Sequence, residues 1–146
     1  HPGSVCASRG TVVVPDTSLE QVMHEDFDLV VLPGGLPGAD NLRDDPRIIH
    51  LLQSTHAAGR LVGAICAAPK VLAQAGLLRG RRAAHYPGAL NAVELEGVED
   101  SAQAIEQDGR VLTSRGPGTA MDFALALVEQ LMGEEKRREV ERALVR

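Results

Sequence analysis

Residues 60–76 read RLVGAICAAPKVLAQAG, and the order of residue types in this stretch predicts both the fold and the site. Leu61, Val62, Ala64 and Ile65 form a short apolar run of the kind that makes a buried strand, and residues 67–75 then read as helix. Cys66 stands on the join. A thiol there faces the free N–H groups and positive end of the following helix, the setting in which cysteines become nucleophilic. Ala64 and Ala68 place small residues two before and two after it, as a tight nucleophile elbow requires where backbone segments nearly touch. The competing reading is a buried cysteine acting as a small hydrophobe, a common fate for this residue type.

Working outward, the same strand-then-loop grammar recurs on both sides. Residues 27–32, FDLVVL, are a buried-type strand that stops at Pro33-Gly34-Gly35, where glycines permit close backbone approach and present N–H groups. Residues 110–114, RVLTS, form a strand after the Asp108-Gly109 turn, and Gly116-Pro117-Gly118 follows it. Residues 11–14 are a β-branched run ended by Pro15-Asp16, with Thr17 or Ser18 capping a short helix, and Cys6 sits in a loop-like lead-in. Residues 83–86 are a short strand closed by Pro87-Gly88.

Helices fill the intervals. Asp45-Pro46 reads as N-cap and first residue of a helix that ends near Gly59, with Ile48, Leu51, Leu52 and Thr55 on one face. Thr119 with Asp122 predicts a capping box for a helix through Met132 that is apolar enough to be deeply buried. A charged helix follows Gly133, with Val140 and Leu144 as its apolar face. The acidic residues 91–108 predict an edge hairpin or irregular segment, and residues 79–82 a solvated basic turn. Alternating strands and helices predict an α/β fold with a mainly parallel sheet covered on both faces. Sites in such sheets lie beyond the carboxyl ends of the strands, where the Gly34-Gly35 loop, the Cys66 elbow and residues 114–119 converge.

Composition narrows the partners. A chain of 146 residues, 44% hydrophobic, is long enough for one globular domain with a real core. Net charge −5 without a basic cluster argues against nucleic acid as the main partner, and no apolar run reaches the ~20 residues of a membrane span. Two distant cysteines suit a reducing cytosol better than a disulfide framework. Cys6, Cys66 and the five histidines show no metal-ligand spacing, and neither a dinucleotide fingerprint nor a P-loop is present, so no metal or cofactor is expected. The chain starts at His1 rather than Met, which we read as an N-terminal truncation of a single domain, residues 1–146.

Four segments carry a family resemblance: SRGTVVVPDTSLE from Ser8, DLVVLPGGLPGADNL from Asp28, AICAAP from Ala64 and LTSRGPGTAMDFALALVE from Leu112. Together they resemble the ThiJ/PfpI superfamily, most closely its DJ-one subgroup and the bacterial YajL-like branch. The resemblance implies a flavodoxin-like sheet, Cys66 as the reactive thiol, the Gly35 and Ala67 N–H groups as an oxyanion hole, and Tyr86 and Pro117 as further substrate-binding positions. It implies no cofactor, and homodimers among full-length relatives.

Two departures from the family pattern stand out. Family members commonly carry His directly before the proline that follows the elbow helix, but here Tyr86 precedes Pro87 and the histidine is His85. A one-residue shift on a strand turns the side chain to the opposite face, so Tyr86 is expected near Cys66, as a donor or merely as packing, with His85 facing away. The family also begins with a strand-helix-strand unit bearing a glutamate beside the cysteine, and nothing before Ser8 supplies it. No carboxylate of this chain is therefore expected at the thiol.

The resemblance implies a cysteine-dependent protein deglycase or cofactor-independent glyoxalase acting on α-oxoaldehydes, on glycated protein or on nucleotide adducts. The alternative is an oxidative-stress sensor or chaperone-like protein in which Cys66 is oxidised. The related peptidases place His after the nucleophile, where Ala67 stands, and the glutamine amidotransferases need a downstream His-x-Glu that is absent.

Overall fold

The computed structural model describes residues 3–146. Its centre is the three apolar runs singled out above, which become strands β3 (Leu29–Leu32), β4 (Leu61–Ile65) and β8 (Val111–Ser114). They lie parallel in the order β3-β4-β8, with Leu29 opposite Leu61, Leu32 opposite Ala64 and Ile65 opposite Ser114. This register brings all three carboxyl ends to one edge of the sheet. The remaining strands are β1 (Val5–Cys6), β2 (Val12–Val13), β5 (Arg82–Ala84), β6 (Glu99–Ser101) and β7 (Ile105–Asp108). β7 runs antiparallel along β8, so the edge hairpin joins the end of the acidic segment to β8 rather than lying within residues 91–108; β1 and β2 form a separate antiparallel hairpin, and β5 and β6 a small parallel pair.

Both faces of β4 are covered, which is why it reads as a continuous apolar run rather than an alternating one. Val62 and Ala64 pack with Leu52 of α3 (Pro46–Ala57) and with Val71 and Leu72 of α4 (Pro69–Gln74). Leu61 and Leu112 pack on the opposite face with Phe123 of α5 (Ala120–Met132). Gly63 makes that second layer possible, because a Cβ there would stand 3.3 Å from the Phe123 ring. Helices α1 (Leu19–Val22), α2 (Gly38–Asp44) and α6 (Glu134–Ala143) complete the chain. Asp45 caps α3 as expected, its carboxylate accepting from the Arg47 N–H at 2.9 Å.

Several local expectations need correction. Cys6 lies in β1, paired opposite Val12, rather than in a loop. Helix α2 was not expected at all. Thr119 precedes α5 but forms no capping box: its hydroxyl is taken by Ser114 Oγ at 2.6 Å and the Gly116 N–H at 3.2 Å, while Asp122 pairs with Arg146. α5 buries only Phe123 and Leu125, and leaves Met121, Leu131 and Met132 exposed. The basic segment is not simply solvated, since half-buried Arg81 donates to the Asp108 carbonyl at 3.1 Å and Arg82 reaches Glu106. Among the described residues no helix is long and apolar enough to cross a membrane.

Arg81 also donates through Nη2 to His56 Nε2 at 3.2 Å, which requires that nitrogen to be unprotonated. Burial first, then the Arg81 and Arg110 charges, push the His56 imidazole below its ordinary range. The unfolded chain therefore binds this proton more readily, so stability falls as pH drops below ~6.5. Urea midpoints at about pH 7.5 and about pH 5.5 should show a decline that His56→Gln, which keeps an acceptor for Arg81, makes shallower. An equal decline in both proteins would locate the pH sensitivity elsewhere.

Candidate active site

Cys66 follows β4 directly and has φ +66°, in the left-handed region that a non-glycine residue adopts only when its surroundings hold it there. Two hydrogen bonds supply the hold. The Cys66 N–H donates to the Ser114 carbonyl at 3.0 Å, and its own carbonyl accepts from the Tyr86 N–H at 2.8 Å. The elbow is thus tied to the end of β8 on one side and to the segment after β5 on the other. The following helix starts at Pro69, later than expected, so residues 66–68 are a turn rather than the first helical turn.

A third constraint comes from the loop after β3. A Cβ on Gly34 would lie 2.5 Å from the Cys66 Cβ and 2.9 Å from the Ile65 carbonyl oxygen, so only glycine lets the two backbones approach. Gly35, at φ +89°, turns the chain into α2, and its carbonyl accepts from the Ala39 N–H at 2.9 Å. Gly34 therefore makes the close approach, while Gly35 leaves an N–H to present. Among the described residues the N–H groups of Gly35 and Ala67 have no hydrogen-bond acceptor, although Ala67 is buried. Cys66 itself is half-buried.

Position 86 contributes its backbone to the elbow. Tyr86 is about half exposed, and its ring lies over Gly116, where a Cβ would come within 3.2 Å of Cδ2. Pro117 follows in a short exposed 3-10 turn, Pro117–Thr119. His85 is buried and directed away from the thiol: Nε2 lies 2.8 Å from Asp100 Oδ1 and Nδ1 2.9 Å from the Tyr86 carbonyl. Both ring nitrogens face acceptor oxygens, away from the elbow. Among the described residues no carboxylate or imidazole hydrogen-bonds the Cys66 sulfur, and no group of three or more His, Cys, Asp or Glu side chains is arranged to hold a metal.

The neighbourhood includes features that sequence reasoning did not single out. A cavity of about 390 Å³ opens behind the Pro33-Gly34 turn against Leu19, Leu42 and Ile48, and Cys66 is not in its wall. The Ser8 hydroxyl sits beside Gly35, 2.8 Å from where a Cβ would be, which brings the β1–β2 hairpin against the Gly34-Gly35 loop. Lys70 of α4 is buried and donates to Asp40 of α2 at 2.9 Å.

The family model described as the DJ-1/PfpI family matches residues 2–130. Protein dj-1beta of Drosophila melanogaster is 42% identical over 142 residues, covering 97% of this chain and 76% of that protein. The glutathione-independent glyoxalase DJR-1.2 of Caenorhabditis elegans is 40% identical over 132 residues, covering 90% of this chain and 70% of that protein. In three dimensions the crystal structure of Drosophila melanogaster DJ-1beta matches with a TM-score of 0.92 at 41% identity, covering 97% of this chain and 76% of that one. The parallel sheet with helices on both faces is therefore the flavodoxin-like arrangement expected from the sequence, and the chain belongs to the DJ-1/PfpI family.

Proposed function

We propose that this chain carries a glyoxalase- or deglycase-type site in which the Cys66 thiolate acts on α-oxoaldehydes or their protein and nucleotide adducts. The observation that carries the reading is the left-handed Cys66 at the end of β4 with the unpartnered Gly35 and Ala67 N–H groups beside it. A family relative described as a glutathione-independent glyoxalase supports the reaction class.

In this reading Cys66 Sγ adds to the aldehyde carbon, a C–S bond forms, and the carbonyl π electrons move onto oxygen. The developing oxyanion takes hydrogen bonds from Gly35 and Ala67, each such donor typically contributing about 3 kcal/mol. Because the donors are backbone groups fixed by β3 and β4, they need no reorganisation as the charge forms. Moving a proton from the aldehyde carbon to the adjacent carbonyl carbon converts the adduct to a thioester, and water then releases the 2-hydroxy acid and the thiol. With no carboxylate or imidazole on the sulfur among the described residues, these proton transfers fall to water or to a group outside them. Tyr86 and Pro117 line the outer side, where the substituent on the oxoaldehyde is held.

Cys66→Ser should abolish methylglyoxal turnover, whereas Cys6→Ser, in the exposed hairpin, should retain most of it; equal losses would reduce Cys66 to a structural role. Gly34→Ala should cost about 1–3 kcal/mol in stability through overpacking at the elbow and lower turnover along with it. A Gly34→Ala protein with an unchanged melting temperature and an unchanged rate of Cys66 alkylation would show that the close approach is not required.

A further inference from the structure

The Lys70–Asp40 pair is the feature of the site region that stability alone does not explain. Lys70 is the second residue of α4, four after Cys66, and is only 8% exposed. Its Nζ donates to Asp40 Oδ1 at 2.9 Å, across to the first turn of α2. Desolvating an ammonium costs several kcal/mol, and apolar replacements of buried ion pairs are often neutral or stabilising. A cation in the first turn of a helix is also on the wrong side of the helix dipole. Two unfavourable terms are therefore accepted at this position.

What the pair does accomplish is geometric. α2 continues straight from the oxyanion loop, since the Ala39 N–H donates to the Gly35 carbonyl and Ala39 is fully buried. α4 continues straight from the elbow turn, since the Lys70 N–H donates to the Ala67 carbonyl at 3.3 Å. One ion pair thus joins the two segments that present the two unpartnered N–H groups. We propose that Lys70 is a positioning residue whose tie to Asp40 fixes the separation and angle of the Gly35 and Ala67 donors. The proposal rests on the oxyanion reading of those donors. It assigns Lys70 no contact with substrate.

Lys70→Met is the informative change, because it keeps the length and apolar stem of the side chain. Asp40 is not stranded by it, being 38% exposed in its side chain and still 3.3 Å from Arg43 Nη1. Misplacing a reacting arrangement by about 1 Å can cost about 100-fold in rate, so we expect kcat for methylglyoxal to fall by roughly ten- to a hundredfold. KM should stay within about threefold, the urea midpoint should hold or rise, and Cys66 alkylation by iodoacetamide should stay within about twofold. The swapped pair Asp40→Lys/Lys70→Asp, which conserves total length and charge, should recover most of the lost kcat. An unchanged kcat in Lys70→Met, a kcat loss that tracks a lower urea midpoint, or a swap no better than Lys70→Met would each overturn the proposal. If the unsubstituted protein does not turn over methylglyoxal, it is the functional reading that fails, and hydrogen exchange decides on the tie. Faster exchange across residues 34–44 and 66–70 in Lys70→Met, reversed by the swap, then supports the tie, and unchanged exchange overturns it.

Discussion

The structure turns on one backbone constraint, the left-handed conformation of Cys66 at the end of a central parallel strand. Such a conformation costs on the order of 1–3 kcal/mol and persists only where the surroundings over-determine it. Here the determinants are the Ser114 carbonyl, the Tyr86 N–H and the bare α-carbon of Gly34, which arrive from three different segments. They meet because β3, β4 and β8 are parallel and in a register that ends them together. A slip of β3 by one residue would carry Gly34 away from the elbow and turn every β3 side chain to the opposite face. Strand register is therefore not background to the site. It is the condition for it.

A site assembled from backbone groups tolerates side-chain change where a site of side chains would not. Position 86 shows this directly. The hydrogen bond that secures the Cys66 carbonyl comes from the main-chain N–H of Tyr86, so tyrosine or histidine there serves the elbow equally well. The side chain is left to pack over Gly116. His85, one residue earlier, has been recruited to a different task, bridging Asp100 of β6 to the Tyr86 carbonyl. The departure from the family pattern at residues 85 and 86 thus alters what surrounds the elbow while leaving the elbow's own restraints in place.

The apolar runs at residues 61–65 and 111–114 were legible because burial on both faces leaves an unmistakable composition, and with them came the sheet and the converging loops. Residues 29–32 carry the same composition but form an edge strand with Val31 exposed, not the buried-type strand expected. Helix α2 was not, because its sequence GADNLRD contains Gly38, Asp40 and Asn41, all weak helix formers. It is held from outside, by the burial of Ala39 and the reach of Lys70. The Thr119 cap was misjudged for a related reason: a hydroxyl free to cap in sequence is engaged by Ser114 in space. Composition also overstated the burial of α5, since a largely apolar helix need only be covered on the face that meets β4 and β8. Nor could the letters distinguish Gly34, which permits the approach, from Gly35, which turns the chain.

Placing the two donors on different segments has an energetic consequence. A single N–H held by its own strand is located by local geometry, whereas a pair taken from the ends of β3 and β4 depends on the β3–β4 register and, in our proposal, on the contact between α2 and α4 as well. If each donor typically contributes about 3 kcal/mol to a developing oxyanion, alignment of the pair governs roughly 6 kcal/mol of transition-state stabilisation. That is about the worth of the 10²–10⁴-fold supplied by a positioned proton donor, or somewhat more. Under the proposed oxyanion role, and with no carboxylate or imidazole on the sulfur among the described residues, the donor pair would be the larger asset. If the Lys70–Asp40 tie keeps α2 and α4 in register as proposed, its desolvation cost is offset by the alignment of the donors.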